Sequence, residues 1–175
     1  MSSSSWIVDA LKDRVVQGVC VGKAVRLGVT FLSLYLAGKI FLPVYEAAVY
    51  EKGHRPPSLL GYVILFAALD LVLNLALLAV LWTAMIAFGT PTNGFAVDQR
   101  LMFALVTDYV VHWVVLVTTS VFLAATVKND AYFRYRYEGS RAVRGLGDMI
   151  LSTAAVTTLI PYCLFFWGIA PAAKK

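Results

Sequence analysis

Charge is scarce in this chain. Only 14% of its 175 residues are Asp, Glu, Lys or Arg, and 60% are hydrophobic, against roughly 25% and about 45–50% in soluble domains. A soluble fold of this length buries only about two-thirds of its surface, so the apolar excess would be left facing water. Lipid is the solvent that accommodates it. Histidine is rarer still: His54 falls in a polar turn and His112 in an apolar run, which excludes paired axial haem ligation across a bilayer and a histidine-rich di-iron centre. The two cysteines, Cys20 and Cys163, are too few and too far apart for a disulfide framework or a thiolate metal site. They read as small apolar fillers. Gly-x-Ser-x-Gly, His-Glu-x-x-His and phosphate-cradling glycine loops are missing as well. A nucleophile with its base is therefore lacking, and no enzyme, cofactor or metal is expected. Met1 to Ser5 holds no basic residue and leads into no apolar stretch with a cleavage site, so a removable signal is not indicated.

What the chain does have is long apolar runs. A helix that crosses the roughly 30 Å of bilayer hydrocarbon needs about 20 apolar residues. Leu59 to Phe88 meets this, interrupted by Asp70 and Asn74; so does Leu101 to Val127, which carries Asp108 and His112; and so does the uncharged Ile150 to Ile169. Leu27 to Val49 is counted as a fourth span despite Lys39, Pro43 and Glu46, because Tyr45 and Tyr50 mark an interfacial end. The expected fold is all-α: a polytopic membrane helical bundle of about four transmembrane helices, forming a single domain over residues 27–175. Wholly helical, Leu59 to Phe88 would be about 45 Å long, which predicts tilt or projection from the bilayer.

Residues 1–26 read as an N-terminal amphipathic, interfacial segment. Trp6, Ile7, Leu11 and Val15 recur at helical spacing with Asp9, Lys12, Asp13 and Arg14 between them. Gly18 and Gly22 form a small-xxx-small pair that lets another helix approach. Polar connections are expected at Glu51 to Ser58, Gly89 to Arg100 and Lys128 to Asp148.

Net charge is +5, with the basic residues mostly outside the runs. With four crossings, Lys12, Arg14, Lys23, Arg26, Arg100, Lys174 and Lys175 share one side. Lys52, Arg55, Lys128, Arg134, Arg136, Arg141 and Arg144 share the other. Seven against seven leaves the positive-inside rule without a choice of orientation.

Ionisable groups inside spans are costly and mark candidate sites. Lys39 lies eleven residues before Tyr50, and Asp70 twelve after Ser58, so an antiparallel hairpin with level ends would pair them. Such a pair fixes helix register or belongs to a proton or ion path. Asp108 and His112, four apart, share a helix face, with Asn74 at a comparable depth. An intrahelical hydrogen bond between them is the simplest arrangement, a proton relay the sharper one, and a metal would need a further ligand. The other candidate surface is the run Tyr132, Phe133, Arg134, Tyr135, Arg136 and Tyr137, continued by Arg141 and Arg144. Arginine planes among tyrosine rings suit lipid headgroups. They also suit a docking surface for a neighbouring protein; nucleic acid uses the same chemistry but is not favoured.

The stretch Tyr132 to Met149, with Glu138-Gly139-Ser140-Arg141-Ala142-Val143-Arg144-Gly145-Leu146 at its centre, resembles a segment of membrane-embedded minor capsid proteins of large icosahedral DNA viruses with an internal membrane. That resemblance covers about a tenth of the chain and implies a protein in a virion inner membrane that ties lipid to the overlying capsid. It supplies no site residues. The expected function is thus a non-enzymatic structural or assembly protein whose partners are the bilayer and neighbouring proteins of a larger assembly. The rivals are a small ion channel or proton-coupled carrier using Lys39, Asp70, Asp108 and His112, and an accessory subunit of an organellar membrane complex.

Overall fold

The computed structural model describes residues 14–50, 57–88, 94–129 and 140–164. These form four helices: α1, Arg14–Tyr50; α2, Leu59–Phe88; α3, Gly94–Asn129; and α4, Ser140–Leu164. The chain is an all-α helical bundle. Ser58 starts α2, its hydroxyl accepting from the Leu60 amide at 3.3 Å and its carbonyl from the Gly61 amide at 2.8 Å, which satisfies donors that a helix start leaves unpaired.

Each helix buries one narrow stripe. On α1 it runs Lys23, Arg26, Thr30, Ser33, Ala37, Phe41, Tyr45; on α2, Tyr62, Phe66, Asp70, Asn74; on α3, Met102, Leu105, Tyr109, His112, Leu116, Ser120, Ala124; on α4, Val143, Leu146, Ile150, Ala154, Thr158. Steps of three and four keep such residues on one side of a helix, as in bundle seams. Helix α1 packs against α2, α3 and α4, and α3 also against α2 and α4. The Tyr62 hydroxyl donates to the Leu34 carbonyl at 3.4 Å, and Arg26 meets Asp70. Sequence numbers that rise on α2 as they fall on α1 make the two antiparallel.

The stripe has two halves. Toward the end of α1 and the start of α2 it is apolar, with the Phe41 ring tilted against those of Tyr45 and Tyr62 at centroid distances of 5.9 and 5.7 Å. Gly147 lets α4 close on Tyr62, whose hydroxyl would lie 3.0 Å from a Cβ placed there. Toward the other end the stripe becomes polar. Outside, Phe31, Ile64, Val72, Ile86, Phe103 and Phe122 are all more than half exposed. Cys20–Val49, Leu59–Ala84 and Met102–Val127 are three stretches long and apolar enough to cross a membrane. In α4 the stretch from Ile150 to Leu164 carries no charge; residues 165–169 of the expected fourth span lie outside the described residues.

Several expected boundaries move. Helix α1 passes without a break through the anticipated division at residue 26, and Gly22 is buried where a Cβ would collide with Leu105 of α3. Residues 1–13, which hold most of the amphipathic pattern, lie outside the described residues. Pro43 does not stop α1 either: it sits on the exposed face, where its missing hydrogen bond is tolerated. The expected connection Gly89 to Arg100 is helical from Gly94, and Lys128 to Asp148 is helical up to Asn129 and again from Ser140. Ala142, Val143 and Leu146 are buried while Arg141, Arg144 and Asp148 point outward, so a segment rich in charge is an amphipathic helix start.

Candidate functional site

The polar half of the seam is a cluster centred on Asp70, which is fully buried. Its Oδ1 accepts from Thr30 Oγ1 at 3.2 Å and Ser33 Oγ at 3.2 Å. Its Oδ2 accepts from Arg26 Nη2 at 3.4 Å and Asn74 Nδ2 at 3.0 Å. Asn74 also donates to the Asp70 carbonyl at 2.6 Å. Thus one α2 carboxylate gathers three α1 side chains, spaced so that all three face it. The Arg26 guanidinium, only 1% exposed, lies over the Tyr109 ring of α3 at 5.3 Å, a cation–π contact that a dry site strengthens.

A second ion pair, Lys23 with Asp108 of α3, lies beside the first. Tyr109 donates to the Gly22 carbonyl at 3.4 Å. His112 meets Thr157 of α4, with 3.3 Å between Nε2 and Oγ1. Because the Thr157 hydroxyl donates to the Thr153 carbonyl at 2.9 Å, its lone pair is left to accept from an Nε2–H. Trp113 donates to the Ala67 carbonyl at 3.3 Å. Every helix therefore sends a polar group into this level. Arg26 Nε and Nη1, Asn74 Oδ1 and Asp108 Oδ2 are buried with no hydrogen-bond partner among the described residues.

Of the expected site residues, Asp70, Asn74, Asp108 and His112 fall in or beside this cluster. Lys39 does not. It is exposed, 5.5 Å from the Tyr35 ring, and the expected Lys39–Asp70 pair is replaced by Arg26–Asp70. The level-ended hairpin was the wrong premise: the helices slide until Asp70 reaches donors on the inner stripe. Nor do Asp108 and His112 bond to each other, for each has a partner on a different helix. Among the described residues, no group of three or more His, Cys, Asp or Glu is placed to hold a metal.

Lys23, Arg26, Thr30, Ser33, Tyr109 and Thr157 are site residues that a count of charges does not single out. The charge count places Lys23 and Arg26 at a membrane face, yet the spacing of Lys23, Arg26, Thr30 and Ser33 is a readable sign of one inward stripe. Of the aromatic and arginine surface, Tyr132, Phe133, Arg134, Tyr135, Arg136 and Tyr137 lie outside the described residues, while Arg141 and Arg144 are exposed on the first turns of α4. No protein-family model, curated protein or solved structure matches this chain.

Proposed function

We propose that this chain is a non-enzymatic integral membrane protein of four spans, α4 providing the fourth, whose locked bundle anchors a larger protein assembly to a bilayer. The observation that carries the reading is the pairing of inward charges: Lys23 with Asp108 and Arg26 with Asp70, each pair joining two helices. Buried pairs of this kind fix register and helix order, which suits a rigid anchor. The resemblance of Tyr132 to Met149 to membrane-embedded minor capsid proteins supports a virion inner membrane as the setting. Cross-linking in the native membrane is expected to recover the chain joined to other proteins; recovery as a lone monomer would count against the assembly role.

A proton-coupled carrier is the second reading, favoured by Asp108 Oδ2, a buried carboxylate oxygen with no hydrogen-bond partner among the described residues, since a carboxylate can take up and release a proton. Purified protein in liposomes separates the two. The anchor reading expects no dissipation of a pH gradient; flux that vanishes in Asp108→Asn while the bundle stays folded would establish the carrier instead.

Burial of Lys23 and Arg26 also supports one orientation over the other. Taking both from the seven leaves five basic residues on the N-terminal side against seven opposite. By the positive-inside rule this excess supports an orientation with the α1–α2 and α3–α4 connections on the side from which the chain is inserted. A cysteine introduced as Arg141→Cys should react with an impermeant maleimide added from that side only.

A further inference from the structure

A groove of about 480 Å³ lies between α1 and α4, clear of the ionic cluster. Its floor is apolar and buried, formed by Leu34, Tyr62 and Val143. Its rim carries Lys39, Arg144 and Asp148, all exposed. The volume is within the roughly 300–1,000 Å³ range of small-molecule sites.

The rim is unusual for a lipid-facing surface. Lys39 belongs to the apolar stretch Cys20–Val49, where an ammonium exposed to hydrocarbon is expensive unless it reaches water or an anion. Among the described residues the ion pairs are Lys23–Asp108 and Arg26–Asp70; neither Lys39 nor Arg144 takes part in one. Two cations and one carboxylate leave the rim with a net positive charge beside an apolar trough. Below the rim, a Cβ placed on Gly38 meets nothing within 4 Å, so the groove is open along α1.

On this basis we infer that the α1–α4 groove binds one anionic phospholipid. An acyl chain lies on Leu34, Tyr62 and Val143, the phosphate meets Lys39 and Arg144, and Asp148 accepts from a hydroxyl or amine of the headgroup. The inference rests on the chain residing in a bilayer, and it specifies which lipid chemistry the bundle holds. Arginine and lysine recognise phosphate by charge-assisted hydrogen bonds, and the shape of the groove favours a molecule that joins phosphate to hydrocarbon over phosphate alone.

The test uses full-length protein reconstituted in nanodiscs of equal phosphatidylglycerol and phosphatidylcholine, then released for native mass spectrometry. Wild type should retain a phosphatidylglycerol in preference to phosphatidylcholine, which lacks both net charge and a headgroup donor, and inorganic phosphate should not displace it. Lys39→Gln with Arg144→Gln should reduce retention on the order of tenfold or more, the loss of charged hydrogen bonds. Gly38→Leu, which fills the trough and leaves every charge in place, should also reduce it. Equal retention of the two lipids by wild type, or unchanged retention in both variants, overturns the site. Should the double variant fail to fold, Lys39→Gln alone and the wild-type lipid ratio decide. Protein that never enters the nanodisc refutes the bilayer reading itself, whereas entry without lipid preference refutes only the groove.

Discussion

Replacing Asp70 with alanine is expected to cost about 3–5 kcal/mol of bundle stability, the loss typical when one partner of a buried ion pair is removed. Arg26 would keep its position, only 1% exposed, with the Tyr109 ring as its main remaining attraction. Thr30, Ser33 and Asn74 would each lose an acceptor at the same time. Unfolding in mixed micelles of mild detergent and dodecyl sulfate, followed by circular dichroism, measures the loss. The informative comparison is the double variant Arg26→Met with Asp70→Leu. It removes both charges together and is expected to lie far closer to wild type, because no unpaired ion is left behind. If Asp70→Ala proves harmless, the pair does not hold the bundle and the anchor reading loses its main support.

How far the fold can be read from residues alone depends on which physical constraint acts where. The bilayer sets the length of a spanning helix, so the runs containing Asp70 and Asp108 announce α2 and α3 outright. No such constraint sets how far one helix slides along the next, and there the reading of Lys39 failed. At 100° per residue, Lys39 stands about 200° from both Ala37 and Phe41, which are buried; its outward direction was therefore legible once the inner stripe was recognised. Arg26 was legible by the same reasoning, three residues from Lys23 and four from Thr30. Its place near the end of an apolar run suits the membrane surface equally well, and charge alone does not distinguish the two. The start of α4 is masked in the sequence for a related reason. Arg141, Arg144 and Asp148 made the segment look like a connection, although Ala142, Val143 and Leu146 between them keep helical period. The pairing of His112 with Thr157 was not legible, since nothing in either helix states which neighbour it faces.

Truncating Phe66 to alanine should destabilise the bundle by less than the about 3–5 kcal/mol that the same change costs in a water-soluble core, leaving on the order of 2 kcal/mol from the cavity alone. Phe66 is fully buried in the seam with Leu34, Phe41, Tyr62 and Leu116. In water, its loss would combine a transfer term with a cavity term. Between helices in lipid the transfer term vanishes, because acyl chains solvate a phenyl ring as well as the seam does, and packing carries the association. The magnitude therefore reports the solvent of the unpacked helices. A loss in the full soluble range, measured by the same mixed-micelle unfolding as Asp70→Ala, would mean that Phe66 leaves the seam for water and would remove the bilayer from the account. A smaller loss, beside the larger one at Asp70, would mean that lipid surrounds this bundle and that its ion pairs, more than its apolar contacts, decide how the helices meet.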